Sequence, residues 1–515
     1  MSTTTAADDA APGDAPQPGA DDGGLSGDGR YPWIAMAIIL GGSYMFVIDT
    51  TVLGVALPNI SSDLQASDSI GIDWLISAYL MAIGMVQPAS GWLADRFGRK
   101  NTYLGSLLLF VLGSVAAGLA PTFPILVAAR VLQGLGGGAM QPIGMAMIYS
   151  MFPPGKRGTA LGVWGVAIMA APALGPPLGG WVTTAASWRW IFLINLPIGL
   201  LVFFFGARLL RPEVAKRETS LHWQAWLSAA TGLIALVVVS RQASEWGPLA
   251  PRTLLLFLVS FVLLGHTVTS SLRQDQPLLE FRVFKERTFA LCMLVMGLVT
   301  ITQFGRLTFL PAELQFVYGL DPAEVGLIMF PSAFSVAATM PLGGWLADRI
   351  GARWPLFVSL LITSSTTWLL GTLTPDDSTQ YITAILVASG FGTGLGITSN
   401  TTAAMNSLPS QFVDHATALR SVSRQIFGAI GTAVLAALLV QTLGAVSPDG
   451  LDVMPPPGEL QAAYNLVFQV CAVILAAGAV LALFLPGRAT ALEHLAMRAR
   501  EAEDEAAALQ EYDPL

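Results

Sequence analysis

Four ionisable residues stand within or at the ends of long apolar runs: Asp49, Arg130, Arg306 and Glu313. A charge facing lipid at mid-bilayer costs several kcal/mol, roughly 2.5–3.5 on the gentlest scale, so each should face the protein interior and have a partner. Asp49 lies about eight residues before the outer end of the run 33–57, and Arg130 about seven residues after the outer start of the run 123–148. At ~1.5 Å per residue both sit ~10–12 Å below the outer surface, so their depths permit a pair. The chemistry open to such a pair is proton binding, with the carboxylate's affinity set by the guanidinium. The alternative is an ion pair that only orients helices. Arg306 and Glu313 are separated by about two helical turns and share a face. Glu313 follows Pro311 near the outer end of its run. It is expected to be a second protonation site, a cation-attracting charge or an interfacial acid. Arg306 is deeper, and its partner cannot be named from the sequence.

Other chemistries find no residues. His222, His266, His415 and His494 fall near run ends or in the C-terminal tail, without metal-ligand spacing, and read as bystanders. Cys292 and Cys471 both lie inside apolar runs and read as small buried hydrophobes. No phosphate-binding GxxxxGK[ST] string occurs, since Lys156 in PPGKRG lacks both the glycine spacing and the hydroxyl. No nucleophile–base constellation is present. The expectation is a protein that is not an enzyme and has no cofactor and no metal. No basic stripe for nucleic acid is visible, and the net charge of −8 reflects acids crowded into the tails and one set of loops.

The elements that must position the four charges are membrane helices. Apolar residues make up 53% of the 515 and charged residues only 12%, about half the share in soluble domains. Runs of ~20 apolar residues match the ~30 Å hydrocarbon thickness. Fourteen are found: 33–57, 71–93, 102–120, 123–148, 159–182, 189–210, 221–241, 252–272, 288–311, 323–346, 354–373, 380–404, 416–440 and 463–485. With the N-terminus inside, 21 Lys and Arg fall on the cytoplasmic side, Arg420 and Arg424 counted among them, and Arg189, Arg241 and Arg252 fall outside. That segregation fits an even helix count with both termini cytoplasmic. Outer connections carry acids, including Asp63, Asp68, Asp321, Asp376, Asp377, Asp449 and Asp452.

A ten-residue string occurs twice, GWLADRFGRK from Gly91 and GWLADRIGAR from Gly344. Two similar halves are the usual construction of a secondary transporter, with the substrate site where they meet. The first copy follows run two and the second follows run ten, so two extra runs separate the halves. The expected architecture is an all-α polytopic membrane protein with 14 transmembrane helices arranged 6 + 2 + 6. Its parts are a disordered cytoplasmic tail at 1–30, a six-helix half at 31–212, and a two-helix insertion with linkers at 213–280. A second six-helix half follows at 281–487, then a cytoplasmic tail at 488–515. In the repeated turn, Gly91 and Gly98 allow close approach and a tight reversal, and Asp95 can accept from arginines or sit at a helix N-terminus. With Arg96 and Arg99 it would form a latch that breaks during transport. The nearest helix start is that of run thirteen, around Asp414 to Thr417. Asp348 and Arg349 repeat the feature, and Asp348 is expected to matter less because Ala352 replaces the arginine of the Arg-Lys pair. Run five reads GVWGVAIMAAPALGPPLGGW, where Pro172, Pro176 and Pro177 cluster with glycines. Small residues let helices approach closely in lipid, and the prolines suggest a helix that bends or seals against a neighbour.

These motifs together resemble the fourteen-helix drug:proton antiporter branch of the major facilitator superfamily. The loop motif GxLaDrxGrk matches Gly91, Leu93, Ala94, Asp95, Arg96, Gly98, Arg99 and Lys100, and the fourth-helix motif RxxqG matches Arg130, Gln133 and Gly134. The antiporter motif matches Gly162, Gly175, Pro176, Gly179 and Gly180, with Ala171 in place of one glycine. The first-helix pattern matches Asp49, Thr50, Val52, Ala56, Leu57 and Pro58, and Trp188–Gly199 matches the sixth-helix signature. The resemblance implies the major facilitator fold and proton-driven multidrug efflux of amphipathic or cationic small molecules from a bacterial cytoplasmic membrane. The implied partners are a small-molecule substrate, protons and the lipid bilayer, for a functional monomer. A periplasmic adapter stays open, as does a dedicated exporter of a lipid, siderophore or other metabolite.

Overall fold

The computed structural model describes residues 30–64, 74–212, 221–247, 250–274, 277–446 and 457–487. The expected tail 488–515, all but the last residue of the tail 1–30, and Asp68, Lys216, Arg217, Asp449 and Asp452 lie outside these residues.

Among the described residues there are sixteen α-helices and no strand. The first eight are α1 (Tyr31–Asp63), α2 (Trp74–Val86), α3 (Ser90–Phe97), α4 (Arg99–Gly118), α5 (Phe123–Met151), α6 (Arg157–Ala185), α7 (Arg189–Leu193) and α8 (Asn195–Leu209). Then come α9 (Trp223–Trp246) and α10 (Pro251–Leu272). The last six are α11 (Arg287–Phe316), α12 (Pro322–Ile350), α13 (Arg353–Leu370), α14 (Thr379–Asn406), α15 (Val413–Val446) and α16 (Pro457–Ala482). Only a 3-10 turn, Gln87–Ala89, separates α2 from α3, and only Ile194 separates α7 from α8. Taking each of those pairs as one rod, every expected apolar run falls on its own rod.

Among the described residues, eleven spans are long and apolar enough to cross a membrane. The expected runs 71–93, 159–182 and 354–373 are not among them. The 3-10 turn interrupts the first, several side chains of the second lie outside those described, and α13 carries Ser359, Thr363, Ser364, Ser365, Thr366 and Thr367. Those hydroxyls cap backbone carbonyls, as where Thr363 donates to Ser359 O and Thr367 to Thr363 O, so they can sit in an apolar setting.

Two bundles result. In the first, α4 and α2 pack on α5 and α1 packs on α6; in the second, α14 packs on α12 and α13, and α11 on α15 and α16. The bundles meet mainly through α6 against α12, and through α15 against α3 and α5. The pair α9–α10 stands beside them, with α9 resting on both α2 and α15. At the end carrying the loop motifs, residues of both halves share one buried cluster, among them Ile39, Tyr103, Ile148, Phe289, Met405 and Leu419. At the opposite end the cores are separate: Leu53, Leu75, Phe123 and Phe192 in one half, Leu310, Leu314, Ile382 and Phe468 in the other.

One boundary departs from expectation. Helix α1 runs on to Asp63, which was assigned to a connection. There its carboxylate accepts from Arg189 Nη1 at 2.6 Å and Trp188 Nε1 at 3.0 Å, tying the end of α1 to the start of α7. The Arg189 hydrogen bond holds the Asp63 carboxyl below the usual carboxylate range.

Candidate functional site

Asp49 and Arg130 are brought together. Arg130 Nη1 donates to Asp49 Oδ2 at 2.6 Å, and the two residues are 1% and 2% exposed. Gln133, one turn along α5 from Arg130, donates to Asp49 Oδ1 at 2.8 Å and accepts from Arg130 Nη1 at 2.7 Å. Asn195 reaches the same carboxylate from α8 at 3.4 Å, and Ser114 of α4 accepts from Gln133 and Asn195 at 2.7 and 3.2 Å. The Arg130 guanidinium lies 3.9 Å above the Tyr79 ring, a cation–π contact from α2. Gly134 permits this crowding, because a Cβ there would meet Tyr79 O at 2.6 Å. A dry ion pair whose lone pairs and protons are nearly all used is the arrangement that makes a buried charge tolerable. Neutralising Asp49 by a proton removes the attraction that holds α1 to α5 at this point.

Sequence reasoning named Gln133 only through its motif and missed Ser114, Asn195 and Tyr79. Asn195 carried a signal, an amide in the apolar string IFLINLPIG.

Arg306 and Glu313 are not brought together. Arg306 donates to Ser389 of α14. Glu313, fully buried, accepts from Gln461 Nε2 of α16 at 2.6 Å, and its other oxygen is buried without a partner. Gln461 in turn donates to Asn465 Oδ1 at 2.9 Å.

The loop motifs cross between the bundles. Asp95 Oδ2 lies 3.2 Å from His415 Nε2 at the start of α15, and Arg99 forks onto the Asp414 carboxylate at 2.8–3.0 Å. His415, read from sequence as a bystander, is therefore part of this contact; a lone histidine near a run end gives no hint of a carboxylate 320 residues away. In the second copy, Asp348 accepts from Gly158 N at 3.0 Å, Thr159 N at 2.9 Å and Thr159 Oγ1 at 3.1 Å, the free donors at the first turn of α6. The sequence ranked Asp348 lower for want of an Arg-Lys pair, but backbone amides supply its donors. Each second rod thus docks on the fifth rod of the other half. Gly98 and Gly351 make the reversals at φ 79° and 84°. Gly91 faces the His415 ring, Arg349 stacks on Trp345 at 4.5 Å, and Arg96 is exposed.

Helix α6 runs unbroken through Pro172, Pro176 and Pro177. Its two ends press on different partners. A Cβ at Gly162 would lie 2.6 Å from Pro341 Cα of α12, whereas one at Gly175 would lie 2.7 Å from Thr51 Cβ and one at Gly179 2.9 Å from Val52 O, both on α1 beside Asp49. Gly180 accepts from Thr184 at 2.7 Å. One rod therefore touches the buried carboxylate's helix and the seam between the halves.

Arg420 and Arg424, counted with the cytoplasmic charges one and two turns beyond the start of run thirteen, stand seven and eleven residues into α15, where both line a recess in the second half. Among the described residues no group of His, Cys, Asp and Glu could hold a metal ion.

The family model for the Major Facilitator Superfamily matches residues 39–307 and 292–510. The tetracenomycin C resistance and export protein of Streptomyces glaucescens is 31% identical over 81% of this chain and 78% of its own length. The multidrug resistance protein B homolog of Mycobacterium tuberculosis is 30% identical over 77% of this chain and 74% of its own. Among solved structures, the human organic anion transporter MFSD10 superposes with a TM-score of 0.61 at 16% identity, over 88% of this chain and 99% of that one, a likeness of fold alone.

Proposed function

Since the chain belongs to the Major Facilitator Superfamily, we propose that it exports amphipathic small molecules from a bacterial cell in exchange for protons. It is a multi-span membrane protein and a transporter rather than an enzyme. In the proposed orientation both termini and both loop motifs are cytoplasmic, and the fourteen rods cross the membrane as 6 + 2 + 6. The conformation described above is then closed to the cytoplasm, where the halves share a core, and parted toward the outside.

The observation that carries the reading is Asp49, a carboxylate 2% exposed and held by one guanidinium and two amides. A proton arriving from outside neutralises it and loosens α1 from α5. The glycine contacts pass that movement from α1 to α6, whose other end bears on α12. The inner seam between α6 and α12 can then open, and the proton leaves to the cytoplasm as substrate is taken up. Glu313, buried with one oxygen unpartnered, is the proposed second proton site in the other half. Arg306 is proposed to fix α11 against α14 there.

The test is Asp49→Asn, close in shape and unable to titrate. The variant should insert and purify as wild type does, yet lose export driven by a pH gradient in proteoliposomes. Gradient-driven export at the wild-type rate would remove Asp49 from the mechanism.

A further inference from the structure

We propose that the recess in the C-terminal half is an anion-binding pocket and that the exported molecule is an amphipathic organic anion, a carboxylate or acidic phenol on an apolar ring system. The proposal rests on the export reading and narrows its substrate class.

The recess lies between α11, α13, α14, α15 and α16 and has an empty volume of about 680 Å³, open space at its mouth included. Its walls are largely apolar, with Met296, Val299, Leu360 and Leu475 among them, and no Asp or Glu lines it. Arg420 and Arg424 are one helical turn apart and project from one face of α15. Arg424 is eleven residues beyond the start of α15, ~16 Å along the helix and so near the middle of a bilayer. A cation at that depth is costly unless something balances it.

Among the described residues no carboxylate pairs with either arginine. Arg420 Nη2 donates to Thr401 Oγ1 at 2.8 Å, but its Nη1 is buried without a partner. Arg424 makes no hydrogen bond or ion pair with any described residue and is exposed in the recess. Asp49 is committed to Arg130, and Asp414 to Arg99. On the opposite wall Asn400 is 5% exposed; its Nδ2 donates to Cys292 O at 3.1 Å, and its Oδ1 is buried with no donor. Arg424, exposed and unpaired among the described residues, and Arg420, one of whose nitrogens is buried without a partner, therefore line one space. A cation would be repelled by the pair, and a neutral apolar molecule would leave their charge unbalanced. An anion balances it, since guanidinium matches carboxylate geometry. The cationic substrates implied by the family motifs have the wrong sign for this pocket.

The experiment uses the full chain in detergent and two dyes that share a xanthene ring, anionic fluorescein and cationic rhodamine 123, with binding read by fluorescence anisotropy. Fluorescein should bind, and R424Q and R420Q should each weaken it by about tenfold or more. R424K should fall in between, because it keeps the charge but loses the planar fork. Rhodamine 123 should bind the wild type at least about tenfold more weakly than fluorescein, and R424Q should not weaken it further. The proposal is overturned if the wild type does not bind fluorescein or binds rhodamine 123 equally well. It is equally overturned if both glutamine variants, monodisperse and melting like wild type, bind fluorescein unchanged. Binding in detergent needs no gradient, so a wild type that binds fluorescein but fails pH-driven transport of it in proteoliposomes would refute proton-coupled export and leave the pocket standing.

Discussion

Asp49 owes its position to side chains from two other rods, Arg130 and Gln133 from α5 and Asn195 from α8, with Ser114 bracing the two amides. Gln133 is the centre of that set, because it also touches Arg130. Gln133→Leu keeps the bulk but removes both donated bonds, leaving Asp49 Oδ1 with Asn195 alone at 3.4 Å. Hydrogen bonds inside membrane proteins are worth about 0.6 kcal/mol on average and up to ~1.7, so the variant should lose about 1–2 kcal/mol of stability. Thermal unfolding in detergent measures it, and an unchanged midpoint would show that the network does not hold the site. At Glu313, whose carboxylate has Gln461 as its sole partner among the described residues, Glu313→Gln should be tolerated in folding while lowering the number of protons exchanged per substrate, read from pH-sensitive dye inside proteoliposomes. Asp49 and Arg130 were legible in the sequence because charges are rare in apolar runs. Ser114 and Tyr79 were not, since neutral polar residues are common in such helices, and Asn195, though conspicuous as an amide in an apolar string, has no spacing that says which neighbour it meets. Arg420 and Arg424 were visible inside run thirteen, but nothing in their spacing says that they line a recess.

The elements that carry closure are the first turns of α6 and α15. Asp348 takes the free amides of one, and Asp95 with Arg99 takes His415 and Asp414 at the other. Two such contacts in parallel should share the closed state between them. With spin labels at Lys156→Cys and Lys285→Cys, Asp95→Asn should broaden the distance distribution toward longer separations, Asp348→Asn should do likewise, and the double variant should exceed either. If Asp95→Asn leaves the distribution unchanged while transport falls, the aspartate is a topological anchor and not a latch. The repeated string made the pair of turns legible, and the start of run thirteen followed from depth. The partner of Asp348 did not follow, because a backbone amide has no letter in a sequence.

For the whole molecule, the shared core at one end and the separate cores at the other define what water can reach. Cys292 and Cys471 are both fully buried and can be replaced by alanine to give a background without reactive thiols. In it, a cysteine at Gln303, on the recess wall, should react quickly with a membrane-impermeant maleimide added outside, and one at Tyr149, 2% exposed and bonded to Asn406 across the seam, should not. Equal rates at the two positions would contradict the closed inner end. The apolar runs and the repeated motif could be read from the sequence, because hydropathy and the repeat record them directly. What it could not hold is where the inserted pair sits: α9 lies across α2 and α15, with Trp226 donating to Met85 O, while α10 turns Leu255, Leu258 and Val262 outward. That placement gives the cleft a spine and a fore-edge, like a bound book. Along the spine the halves are splinted by a helix that belongs to neither. Along the fore-edge the close backbone contacts of Gly158 with Gly344 and of Gly162 with Pro341, with the Asp348 bonds to the first turn of α6, keep the pages together. A molecule dissolved in the bilayer would thus meet two unlike flanks, one splinted by α9 and one closed by α6 against α12.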